Sequence, residues 1–148
     1  MTAKTSSGPT TTTLADRRDA VIAEHIEAEC LHDVPRALRT FDTPHYHMYP
    51  LALDAPGAEA VADLLGAVFT AFPDFEFIPA CSYHASDTVI VEGRMIGTHE
   101  GTWAGLDGSG SRIDVPTCCL YHFDDDRLTS ESVYFDHATL LAQIGGQP

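Results

Sequence analysis

Glu131 sits in the stretch Arg127–Phe135, with Val133 and Phe135 at the next alternate positions. In a strand these three share one face, and Ser130, Ser132 and Tyr134 share the other. If the apolar face lines a pocket, the ionised carboxylate is disfavoured and its pKa rises, which suits a general base near neutral pH. The competing reading makes Glu131 a rim residue paired with Arg94 or Arg112. A second set lies earlier: His25, Glu29 and His32 are spaced i, i+4 and i+7 within one predicted helix face. Two imidazoles and a carboxylate so placed suit a divalent metal ion. The bland alternative packs the two histidines beside Val21 and Ala28, bonded to backbone carbonyls.

His32-Asp33, beside the segment that carries Tyr46 and His47, also reads as an acid/base pair at a pocket mouth. His99, inside Gly97-Thr-His-Glu-Gly101, either points inward or sits where glycines let the chain curve. Trp103 and Tyr134 are read first as core or contact residues. Gly105-x-x-Gly-x-Gly110 resembles a phosphate-binding loop only superficially, because a strand rather than a helix follows it. Spacing alone supports no Ser-His-Asp or Cys-His nucleophile.

These residues need elements to position them. A helix is predicted over about Leu14–Leu31, with Asp16 as a cap. A shorter helix follows Asp33, with Pro35 in its first turn and an end near Phe41-Asp42. His45–Tyr49 is predicted extended, with His45, His47 and Tyr49 on one side and Tyr46 and Met48 on the other. Val61, Leu64, Leu65, Val68 and Phe69 recur at helical spacing over Ala58–Phe72, and Pro73 ends that helix. An extended run from Phe75 to about His84 then turns at Ala85-Ser86-Asp87. From Thr88 to Gly145 the pattern is three long strands and a short closing helix. Tight turns at Gly105–Arg112 and Asp124–Asp126 join the strands. Helices followed by a run of antiparallel strands make an α+β fold.

The chain has 148 residues, 44% of them hydrophobic, and a formal charge of −14. That length supports one domain, expected over residues 14–146 behind a disordered polar tail at 1–13. The negative charge argues against nucleic acid and anionic membranes as partners. No apolar run approaches the roughly 20 residues of a membrane span, and the first residues lack the apolar core of a secretory signal. Cys30, Cys81, Cys118 and Cys119 show no CxxC spacing, so reduced thiols in a cytoplasmic protein are expected.

Several segments together resemble the SnoaL-like polyketide cyclases of the nuclear-transport-factor-2-like superfamily. They are Glu24-His25 and His32-Asp33, Ala71-Phe-Pro-Asp-Phe75, Gly97-Thr-His-Glu-Gly101 with Gly105, and Tyr134-Phe-Asp136 followed by Leu140, Leu141, Gln143 and Gly145. The resemblance covers about Leu14–Gly145. It implies a cone-shaped barrel, a curved, mostly antiparallel sheet wrapped around N-terminal helices, with a pocket at the open end and dimers through the sheet. In those cyclases an aspartate on the last strand is the acid/base, and a Gln and a His on the preceding strand help bind substrate. Aligned without gaps from Gly97 to Gly145, these positions hold Val133, Thr117 and Cys119. The cyclase reaction is therefore not carried over.

The expectation is a cofactor-independent acid/base enzyme of lyase, isomerase or cyclase type, acting on a small, mostly apolar, oxygenated molecule. Glu131 would be the base, with His32 and Asp33 as its partners. Tyr46, His47, His99, Trp103, Cys119 and Val133 would contact the substrate. The alternatives are a metal-dependent enzyme using His25, Glu29 and His32, or a non-catalytic ligand-binding module. A homodimer through the sheet is expected, with neither nucleic acid nor membrane as partner.

Overall fold

A computed structural model describes residues 11–146. Most of the tail expected at 1–13 lies outside the described residues. Helix α1 spans Leu14–Cys30 and opens with a capping box. The Thr13 hydroxyl accepts from the Asp16 amide while the Asp16 carboxylate accepts from the Thr13 amide. The cap is thus Thr13, with Asp16 three residues on, because a hydroxyl before the first turn reaches the orphan amides. Helix α2 (Val34–Arg39) is capped by Asp33, and α3 (Ala58–Ala71) carries the apolar stripe seen in the sequence. Helix α4 is His137–Ile144.

Six strands form one sheet in the order β2-β1-β6-β5-β4-β3. They are β1 (His45–Met48), β2 (Leu53–Pro56), β3 (Glu76–His84), β4 (Thr88–Thr98), β5 (Arg112–Asp124) and β6 (Arg127–Phe135). The α+β expectation holds. The sheet is mixed and open rather than closed into a barrel, with β1 parallel to β6 and every other pair antiparallel. Strand β2, whose Leu-Asp-Ala-Pro carries no clear alternation, escaped the sequence reading. The predicted tight turn at Gly105–Arg112 belongs to a longer excursion over residues 99–111, pinned by reciprocal Trp103–Leu106 backbone bonds of 2.9 Å.

The core lies between α3, the sheet's inner face and the end of α1. One glycine is fixed by packing: a Cβ on Gly93 would lie 2.4 Å from the Ile78 carbonyl oxygen and 2.8 Å from the Phe77 ring. It faces the bulge between Pro79 and Cys81, where β3 bends over β4.

Candidate functional site

Register builds the site. Glu131 on β6 is flanked by Tyr46 on β1 and Tyr121 on β5, its direct Cα partners in the two ladders. Directly paired residues share a sheet face, so a Tyr–Glu–Tyr row points inward. Val133 makes the next row with Met48 and Cys119, and Phe135 pairs with Thr117. All of these side chains line a cavity roofed by Leu64, Leu65, Val68, Phe69 and Phe72 of and just after α3. Met95 and Trp103 close its far side, and Glu29 of α1 joins Glu131 in it. The cavity is apolar except around these carboxylates, the two tyrosines, Thr117, Cys119 and Trp103.

Behind the carboxylates stands His25, wholly buried. Its Nε2 lies 2.9 Å from Glu131 Oε2 and 3.1 Å from Glu29 Oε1. Its Nδ1 lies 2.7 Å from Thr40 Oγ1. The Thr40 hydroxyl donates its single proton to the Ala37 carbonyl at 2.6 Å. Thr40 must therefore accept from His25, and Nδ1 carries a proton. Nε2 then faces two acceptors, an arrangement satisfied only if a positive species lies between them.

A proton suffices. Burial alone would depress the imidazolium, but the charges of Glu29 and Glu131 outweigh it and raise His25 to about 10. Burial and the Glu29 charge push Glu131 above the usual carboxylate range, against the opposing pull of His25. Burial and the Glu131 charge likewise push the Tyr46, Tyr121 and Cys119 acids well up, keeping all three protonated. Tyr46 Oη lies 3.4 Å from Glu29 Oε1. His25 is thus held as an imidazolium between Glu29 and Glu131, and the Glu131 carboxyl group faces the apolar space.

A metal ion is the other positive species that fits. The donor atoms of His25, Glu29 and Glu131 all lie within 4.8 Å of one another. This set shares two members with the one expected from α1, but Glu131 replaces His32. Helix α1 ends at Cys30, and His32 adopts a left-handed backbone with φ 57°. The i+7 periodicity stops before it, and its ring turns away to stack on Phe69 (4.2 Å between centroids) and bond the Phe75 carbonyl at 3.2 Å. Asp33 caps α2, accepting from the Arg36 amide at 3.0 Å. Neither residue lines the cavity, so the expected His32-Asp33 pair at its mouth is not formed.

Of the expected substrate contacts, Tyr46, Trp103, Cys119 and Val133 line the cavity. His47 does not, because strand alternation turns it to the outer face, 3.0 Å from Asp54. His99 is buried beside Phe72 but outside the lining. Its Nδ1 accepts from the Ser109 amide at 3.3 Å. Arg94 and Arg112 pair with Asp114 and Asp74 rather than with Glu131. Among the described residues, Trp103 Nε1 is a buried donor without a partner, at the cavity wall. Sequence reasoning missed Tyr121, although its alternation with Cys119 was a usable signal. It also missed the His25–Glu131 contact, for which no local signal exists.

Solved structures share this architecture. A protein from Jannaschia sp. CCS1, provisionally named a SnoaL-like polyketide cyclase, superposes with a TM-score of 0.79 at 19% identity, covering 95% of this chain and 100% of that one. IdmH from Streptomyces antibioticus, provisionally a polyketide cyclase, gives 0.71 at 23% identity, covering 86% and 98%. A protein of ketosteroid isomerase-like fold from Catenulispora acidiphila DSM 44928, solved in complex with trimethylamine, gives 0.74 at 18% identity, covering 86% and 93%. No curated protein matches the chain. The family model described as SnoaL-like polyketide cyclase matches residues 20–144, and the chain belongs to that family.

Proposed function

We propose that the protein is a cofactor-independent acid/base enzyme of cyclase, isomerase or lyase type, with Glu131 as its base. Membership of the SnoaL-like family supports a cyclase-type role on a small molecule. The observation that carries the finer reading is Glu131 itself, a buried carboxylate held against His25 and opening on an apolar cavity.

The substrate is a small, mostly apolar molecule with a carbonyl group. Glu131 removes a proton from the carbon next to that carbonyl, and electron density moves to the carbonyl oxygen as an enolate. Trp103 holds a substrate oxygen through Nε1, a reading supported by that nitrogen being a buried donor without a partner among the described residues and by Trp103 lining the cavity. Glu131 then returns that proton in one of three ways: to the alkoxide formed when the enolate attacks a second carbonyl and closes a ring, to another carbon of the enolate, or to a β-hydroxyl that leaves as water. Tyr46 and Tyr121, kept protonated, hold the Glu131 side of the cavity. His25 is a positioning residue: it keeps a proton on the far side of Glu131 and does not meet substrate. In the carried-over alignment Val133 stands where the family's aspartate falls. Glu131, two residues earlier on the same face, supplies the carboxylate that Val133 cannot. Exposed Ile78, Tyr83 and Tyr134 support a homodimer through the sheet, and free thiols at Cys30, Cys81, Cys118 and Cys119 fit a cytoplasmic setting.

The test is solvent exchange. An aryl 1,3-diketone incubated in D2O is followed by NMR for deuterium at the carbon between its carbonyls. Wild-type protein is expected to accelerate exchange, and Glu131→Gln to lose at least a hundredfold. Equal rates in the two proteins contradict the proposal.

A second reading rests on the close donor set of His25, Glu29 and Glu131, with Thr40 fixing the tautomer that presents Nε2. One equivalent of zinc or iron in the purified untagged protein, lost in His25→Gln, would favour it.

A further inference from the structure

We propose that His45, His47 and Asp54 form a second, separate site for a divalent transition-metal ion, on the outer face of the β1–β2 hairpin. Strand alternation puts His45 and His47 on one face of β1. Asp54 on β2 is the direct Cα partner of His47, so its side chain stands on that same face. His45 Nε2 lies 2.6 Å from Asp54 Oδ1, and His47 Nδ1 lies 3.0 Å from the same oxygen. The three donor atoms fall within 4.8 Å of one another. Two imidazoles, 4.2 Å apart between ring centroids, thus converge on a single carboxylate oxygen.

Without a metal, only His45 Nε2 is hydrogen-bonded to that oxygen, while His47 Nδ1 approaches it without forming a hydrogen bond. One ion about 2.0–2.2 Å from each donor replaces both contacts with small side-chain rotations. Two imidazoles and one carboxylate suit zinc, nickel or copper rather than magnesium or calcium, which prefer oxygen alone. The donors are half-exposed or exposed, so further positions stay open to water. The face is opposite the one on which Tyr46 and Met48 line the cavity. The site would clamp the edge strand β2 to β1 and is independent of the Glu131 chemistry.

The test is calorimetric titration of the untagged protein with zinc chloride, with cobalt(II) absorption as a second readout. Wild-type protein is expected to bind one zinc ion per chain at this site, with visible cobalt bands. His45→Ala, His47→Ala and Asp54→Asn are each expected to weaken binding at least tenfold, and His84→Ala to leave it unchanged. Because the ligands lie at the surface, metal-free melting of the variants checks that each still folds. Two results would overturn the proposal. One is an absence of zinc binding in wild-type protein. The other is binding that survives in a His45→Ala/His47→Ala double variant, and if that residual binding disappears in Glu131→Gln the metal belongs to the buried trio.

Discussion

His25 Nε2 meets Glu131 Oε2 at 2.9 Å across 106 positions of sequence. The contact joins the first helix to the last strand and sets the charge that faces the cavity. Both side chains are almost wholly buried, so neither charge has water to fall back on.

Removing His25 should therefore be costly. His25→Ala leaves Glu29 and Glu131 as neighbouring buried carboxylates without a cation. Breaking a buried ion pair from one side costs roughly 3–5 kcal/mol. Chemical denaturation should show a loss of that size, whereas a loss below about 1 kcal/mol would mean that the trio is not charged as described.

The same contact gives stability a pH dependence. The folded pKa of His25, about 10, is above its ordinary value of 6.5. Its contribution is then fully present below pH 6.5 and is lost as pH rises toward 10. Glu131, whose folded pKa is also raised, acts in the same direction at lower pH: ionising it costs stability as pH climbs out of the ordinary carboxylate range. Melting temperatures of wild type and His25→Gln should converge between pH 6.5 and 10. A constant gap across that window would contradict the assignment.

Trp103 offers a milder test. Trp103→Phe keeps the aromatic wall but removes the unpartnered Nε1 donor. A neutral hydrogen bond is worth about 0.5–1.5 kcal/mol, so affinity for a carbonyl ligand should fall about two- to tenfold. Binding unchanged within error would remove the substrate contact assigned to Nε1.

His32 and Asp33 should behave as structural residues. Asp33→Ala removes the α2 cap and should cost about 1 kcal/mol, with little effect on exchange activity per folded molecule. A hundredfold activity loss in a folded Asp33→Ala protein would restore these residues to the site.

Much of the fold was legible because hydrophobic period reports local structure directly. The stripe of α3 placed that helix, and the alternation of Glu131, Val133 and Phe135 in β6 put Glu131 on the apolar face. Strand β2 escaped because four residues ending in Pro56 carry too little pattern, and its existence depends on pairing with β1. The His32 misplacement came from extending helical spacing two residues past Cys30, where a left-handed residue reverses the chain. The third member of the trio came from β6, and spacing within α1 holds no information about a partner 106 positions away.

The most direct measurement is a nitrogen-15 NMR titration of the His25 imidazole, assigned by comparison with His25→Gln. Both ring nitrogens should remain protonated at pH 8, with titration near 10 in wild type and lower in Glu131→Gln. A ring that loses its proton near 6.5 in wild-type protein would contradict the charged pair on which the proposed role of Glu131 as base depends.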